Sequence, residues 1–105
     1  AEAVEAFRMA QFMRALECES HGDYACAIAR YRNAIRLQGG EHQFHFGLAR
    51  AYFLAGQPGP AQREFGRAYT LGGTEQVRNV YRQKLDHLRR WRERSAGQAG
   101  TPPPR

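Results

Sequence analysis

The chain has 105 residues and carries sixteen Lys plus Arg against ten Asp plus Glu, a formal net charge of +6. That length supports one domain, near the lower size at which a core is comfortable. Its apolar segments are amphipathic, none approaches the run of about 20 apolar residues that spans a bilayer, and no basic-plus-apolar leader opens the chain. A soluble, cytoplasmic protein without a membrane span is expected. The opening alanine implies a removed initiator methionine or an excised piece, and whether further repeats precede it is left open.

Read in chain order, the sequence repeats itself. Shifted by 34 residues, Phe12, Ala15, Gly22, Ala27, Ala34, Leu37 and Gly39 fall on Phe46, Ala49, Gly56, Ala61, Ala68, Leu71 and Gly73. Matches at small and structural positions, rather than at charged ones, are what a shared packing geometry requires. Residues 1–39 make the first unit and residues 40–74 the second, each expected as two helices around a glycine turn.

In the first unit, the helix before the turn carries Met9, Phe12, Ala15, Leu16 and Glu19. Gly22 closes it, and Asp23 is placed to cap the next helix, which carries Ala27, Tyr31, Ala34 and Leu37. Cys18 and Cys26 flank that turn at a spacing that matches no zinc motif. They are expected to be small buried apolar residues, although their equal distance from the turn also leaves a disulfide open. Gly39-Gly40 supplies the stop, because glycine reaches the left-handed conformation that ends a helix.

The second unit opens with Gln43, Phe46, Leu48, Ala49, Arg50, Tyr52 and Phe53, turns at Gly56, and continues with Pro58 and Pro60, which suit the first turn of a helix. The alanines at 15, 27, 34, 49, 61 and 68 let helix axes approach closely, while Leu37, Leu48, Tyr52, Phe65 and Leu71 are expected to fill the space between them. Two stacked units alone would leave an open end. Residues 75–94 provide the cover, a basic amphipathic capping helix with Val77, Val80, Tyr81, Leu85, Leu88 and Trp91 at helical spacing. A further shift of 34 puts Gln83 and Arg90 where Ala49 and Gly56 stand, so this fifth helix does not continue the repeat. Residues 1–75 hold eight arginines against eight acids, and residues 76–105 carry the whole net charge. The Pro- and Gly-rich segment 95–105 is expected to be a disordered tail.

The period of 34 and the pattern Leu48, Ala49, Tyr52, Gly56, Ala61, Phe65, Ala68 resemble the tetratricopeptide repeat (TPR) family. In the first unit Ala15, Gly22, Ala27, Tyr31 and Ala34 match, whereas Arg14 and Cys18 stand where a leucine and a tyrosine would be expected. The resemblance covers about residues 8 to 75, and its units end in glycine where the family has proline. It implies an all-α fold of antiparallel helix pairs stacked as a short superhelix, five helices in all, that works as a protein interaction module, adaptor or chaperone.

In that family the first helix of each unit lines the concave face. By resemblance the ligand surface is Met9, Phe12, Leu16 and Glu19, then Gln43, Phe46, Arg50 and Phe53, and on the capping helix Val80, Lys84 and His87. The expected peptide groove is Met9, Phe12, Leu16, Phe46, Arg50, Phe53 and Lys84, with exposed rings at Phe12, Phe46 and Phe53 and charge selection by Arg50 and Lys84. The alternative is that the capping helix or a second copy covers those rings. One TPR subgroup grips the C-terminal carboxylate of heat-shock chaperones with lysine and asparagine. The corresponding places here hold Phe12, Leu16, Gly47, Val77 and Tyr81, so the clamp is absent. An apolar or amphipathic peptide is the expected partner, similar to those of TPR chaperones of bacterial secretion systems, and self-association is left open.

A second reading is nucleic-acid or anionic-surface binding by Arg78, Arg82, Lys84, Arg89, Arg90, Arg92 and Arg94, with Tyr81 and Trp91 interleaved for stacking. It ranks lower because the whole chain prefers arginine over its single lysine. Catalysis is not expected: Ser20, Ser95, Thr70, Thr74 and Thr101 lie in no nucleophile elbow or phosphate-cradling loop. His42 and His45, beside Glu41, lack a clear third protein ligand for a metal, and no cofactor is expected.

Overall fold

The computed structural model describes residues 2–37 and 41–95. They form five helices: α1 (Glu2–Ser20), α2 (Tyr24–Leu37), α3 (His42–Leu54), α4 (Pro58–Leu71) and α5 (Glu75–Ser95), with no strand among the described residues. The fold is all-α. Each helix packs on the next along the chain, and α1 also touches α3. None of the five is long and apolar enough to cross a membrane. The Leu37 side chain, the Gly39-Gly40 stop and the tail beyond Ser95 lie outside the described residues.

The two expected turns are built alike. Gly22 and Gly56 adopt φ of 74° and 81°, a left-handed backbone that side chains with a Cβ rarely tolerate. Gly22 N–H donates to the Glu19 carbonyl and Asp23 N–H to the Cys18 carbonyl, at 2.9 Å each. Gly56 and Gln57 repeat those bonds to Phe53 and Tyr52 at 3.0 and 2.8 Å. Both helices thus end in the same Schellman closure, which satisfies carbonyls that a helix end leaves without partners. On the far side, Asp23 Oδ1 accepts from Cys26 N–H at 3.1 Å and Thr74 Oγ1 from Val77 N–H at 3.2 Å, starting α2 and α5. Pro58 opens α4, where its missing N–H costs nothing.

All six expected alanines are fully buried. One cluster, with Tyr31 and Leu48, joins α1, α2 and α3. A second, with Ala49, Phe65 and Leu88, joins α3, α4 and α5, and Tyr52 packs against both. One expected filler, Leu71, is exposed instead, and so is Val80 of the capping helix. Leu71 is the last residue of α4. On α5 the buried positions are Tyr81 and Leu88, and Val80 sits about 100° round the helix from Tyr81.

The helix α1 mixes polar and apolar residues on its inward face, where Phe12 and Leu16 also pack. It buries Arg8, Gln11 and Ala15 and exposes Phe7, Met9 and Met13. Arg8 is 1% exposed; its guanidinium pairs with Glu5 at 2.7 Å, approaches Glu41 at 3.7 Å and lies over the Phe44 ring. Gln11 Oε1 accepts from Arg30 and Asn33 of α2 at 3.3 Å each. A buried charge persists only when it is paired in this way.

Cys18 and Cys26 are bonded to each other, across eight positions of sequence, and neither is fully buried. This corrects the expectation of two small buried apolar residues: the Schellman turn folds α1 and α2 back so that their Cα atoms stand 5.8 Å apart, within disulfide reach. A loop this short constrains the unfolded chain by about 2.5 kcal/mol. Reduction is therefore expected to lower the thermal midpoint by roughly 10–20 °C, read by circular dichroism with and without reductant, and a Cys18→Ala, Cys26→Ala variant should show no such response.

Candidate functional site

On α3, Phe46, Arg50 and Phe53 recur at i, i+4 and i+7 and so share one stripe. Opposite them α5 presents Lys84, His87 and Leu88, with Gln83 at the edge, and α4 supplies Phe65 beneath. Together with Leu54 these residues enclose an open cavity of about 450 Å³. Its walls are chiefly apolar and its polar groups are basic or neutral.

The rings are held, not free. Phe46 stacks on Tyr81 of α5 with centroids 5.0 Å apart and tilts against Phe65 at 5.7 Å. Phe53 meets Trp91 edge-on at 5.6 Å. Phe46 and Phe53 are half-buried, which corrects the expectation of exposed rings. The covering alternative applies to one side of each ring, since α5 folds over that side while another side still faces the cavity.

Arg50 is likewise engaged. Its Nε and Nη2 donate to the Glu19 carboxylate at 2.7 and 3.1 Å, and Nη2 donates to the Tyr31 hydroxyl at 3.3 Å. Tyr31 in turn donates to Glu19 at 2.6 Å. Burial opposes the charge on Arg50, but the hydrogen bond and charge of Glu19, with Tyr31, outweigh it and raise its pKa. Burial, reinforced by the Glu19 carboxylate, pushes the Tyr31 hydroxyl well above its ordinary value, so it stays protonated. This network ties α1, α2 and α3 together at the Arg50 wall of the cavity, and it makes Glu19 the partner of Arg50 rather than an independent ligand group.

The structure brings Phe46, Arg50, Phe53 and Lys84 together and leaves Met9, Phe12 and Leu16 elsewhere. Phe12 packs between Tyr31 and Phe44, at 5.8 and 5.0 Å, so it belongs to the first cluster. Leu16 is half-buried against the same cluster. Met9 is exposed on the outer side of α1. Leu54, Phe65, Gln83 and Leu88 complete the cavity lining beyond the expected groove residues. Phe65 and Leu88 carried a sequence signal, but as core, and a core residue can also floor a cavity; nothing in the sequence marks Gln83.

His42 and His45 turn to different partners. His42 Nδ1 shares a 2.7 Å hydrogen bond with the Tyr81 hydroxyl, and His45 Nδ1 lies 3.3 Å from Glu64 in the α3–α4 interface. Among the described residues no group of three His, Cys, Asp or Glu is placed to hold a metal ion. Burial pushes the Glu64 carboxyl up, but hydrogen bonds from His45 and Arg67, and their charges, more than offset it and leave its pKa lowered. A lowered folded pKa adds stability above the ordinary carboxylate value of about 4.3, lost as pH falls through the folded value. Glu64→Gln is expected to flatten that acid limb in denaturation curves measured from pH 6 to 2, and Glu64→Ala to cost about 1–3 kcal/mol at neutral pH.

The two aromatics expected as stacking surfaces for bases point inward: Tyr81 is buried against Phe46, and Trp91 is half-buried against Phe53. Several arginines of α5 are engaged within the molecule. Arg78 donates to the Gly72 carbonyl, Arg82 lies over Tyr69, Arg89 pairs with Asp86 and Arg92 donates to Gln62. Compared with protein-family models, curated proteins and solved structures, the chain matches none.

Proposed function

We propose that the two helix pairs are TPR-type units capped by α5, and that the chain is a protein interaction module, an adaptor or chaperone, whose α3–α5 groove takes an amphipathic segment of a protein partner. The observation that carries this reading is the apolar cavity rimmed by Arg50, Lys84 and His87. Cavities of this size, lined by aromatic and aliphatic side chains with a few polar groups, suit ligand side chains. The matched Schellman turns at Gly22 and Gly56 and the equivalent buried alanines support the repeat reading.

The test is capture from a lysate of the source cells by three proteins: wild type, Gln83→Trp and Lys84→Glu. Both substitutions lie on exposed positions of α5. They fill the mouth of the groove or reverse its charge without touching the core. A captured protein that is lost from both variants, at unchanged thermal midpoints, supports the groove. Capture that depends on nucleic acid and ignores both variants moves the function to the arginines of α5. The Cys18–Cys26 bond favours an oxidising compartment over the cytoplasm, where such a pair is kept reduced. Alkylation of free thiols in intact cells, followed by mass spectrometry, reads which holds.

A further inference from the structure

A helix with apolar side chains on its outer face is half of a contact. On α1 two exposed methionines share one stripe, while the exposed Phe7 lies on another side of the helix. Glu2, Ala6, Met9, Met13 and Glu17 recur at helical spacing along one stripe, all five exposed, with Met9 and Met13 at 47% and 59%. The stripe has two thioethers at its centre, a carboxylate at each end and no base. Methionine adapts its shape to irregular surfaces and packs well on aromatic rings.

The groove has the complementary chemistry. Phe46 and Phe53 offer ring faces, and Lys84 and His87 stand at its rim on α5, the helix that carries most of the excess positive charge. From these two surfaces we infer that the occupant of the groove is α1 of a second copy of this chain. The methionines seat against the rings, and Glu17, one turn beyond Met13, faces the basic rim. The inference rests on reading the groove as a docking surface. The two surfaces differ, so the contact is heterologous: it closes if two copies exchange α1 reciprocally and chains if they do not.

Sedimentation equilibrium and light scattering over a range of protein concentrations test it, with wild type, Met13→Asp and Lys84→Glu. Wild type is expected to rise from 12.0 kDa toward twice that mass or beyond, and less so at high salt, because exposed charge pairs are screened. Each single variant should weaken association by about tenfold or more, the scale of one central interface residue. An equimolar mixture of the two variants should recover part of it, since each retains the surface the other has lost. A monomer at every concentration overturns the inference, as does association that ignores either substitution or is not recovered by mixing. The groove reading is judged separately: if Met13→Asp still captures a cellular protein that Gln83→Trp loses, the groove binds and its occupant is not α1.

Discussion

Gly47→Ala is expected to destabilise the protein by about 1–3 kcal/mol, although alanine is the better helix former by roughly 1 kcal/mol. A Cβ at Gly47 would stand 2.5 Å from Cε1 and 2.6 Å from Cζ of Tyr31. The ring cannot yield easily: Tyr31 is fully buried, and its hydroxyl is fixed between Glu19 and Arg50. Valine at the same position should cost more than alanine. Urea denaturation of Gly47→Ala, Tyr31→Leu and the double variant checks the cause. If the clash is the cause, the double variant loses less than the sum of the singles, because residues in contact are not additive. A neutral or stabilising Gly47→Ala would mean that α2 and α3 do not approach at this point.

Leu88→Ala is expected to cost about 2–5 kcal/mol, the usual range for emptying a well-packed leucine site. Leu88 is 1% exposed and packs with Ala49, Ala61 and Phe65, so the lost volume opens between α5 and the helix pair beneath it. Trp91, the chain's single tryptophan, lies one turn further on against Phe53 and reports the docking of α5 by fluorescence. Unfolding followed by tryptophan emission and by circular dichroism should coincide and shift together in Leu88→Ala. Val80→Ala, on the exposed side of the same helix, should stay within about 0.5 kcal/mol of wild type. An equal loss at both positions would contradict the assignment of which face of α5 is buried.

These two sites differ in how far the sequence exposes them. Leu88 is legible from helical spacing alone. Gly47 is not: its counterpart under the 34-residue shift is Met13, and only the ring arriving from α2 leaves no room for a side chain at this position. The same divide runs through the candidate site. Phe46, Arg50 and Phe53 share one stripe of α3 as their spacing predicts, whereas their meeting with Lys84 is expected only by resemblance, and Met9, Phe12 and Leu16 do not join them. What the pattern does not carry is that α5 would hold one side of each ring, so that Phe46→Ala and Phe53→Ala should lower stability as well as any binding. Groove tests accordingly belong at Gln83 and Lys84.

Local chain chemistry accounts for the helices, the Gly22 and Gly56 turns and the buried alanines, because spacing, glycine turns and capping residues act over a few residues of chain. Asp23, Gly22, Gly56 and the prolines of α4 are local signals with local outcomes. Contacts between helices set which face of α1 is buried, that Arg8 lies inside with Met9 and Met13 outside, that Arg50 pairs with Glu19, and that Cys18 reaches Cys26. Each depends on groups from different elements meeting in space, and a charge can be buried, or a methionine left in water, wherever a partner from another helix offsets the cost.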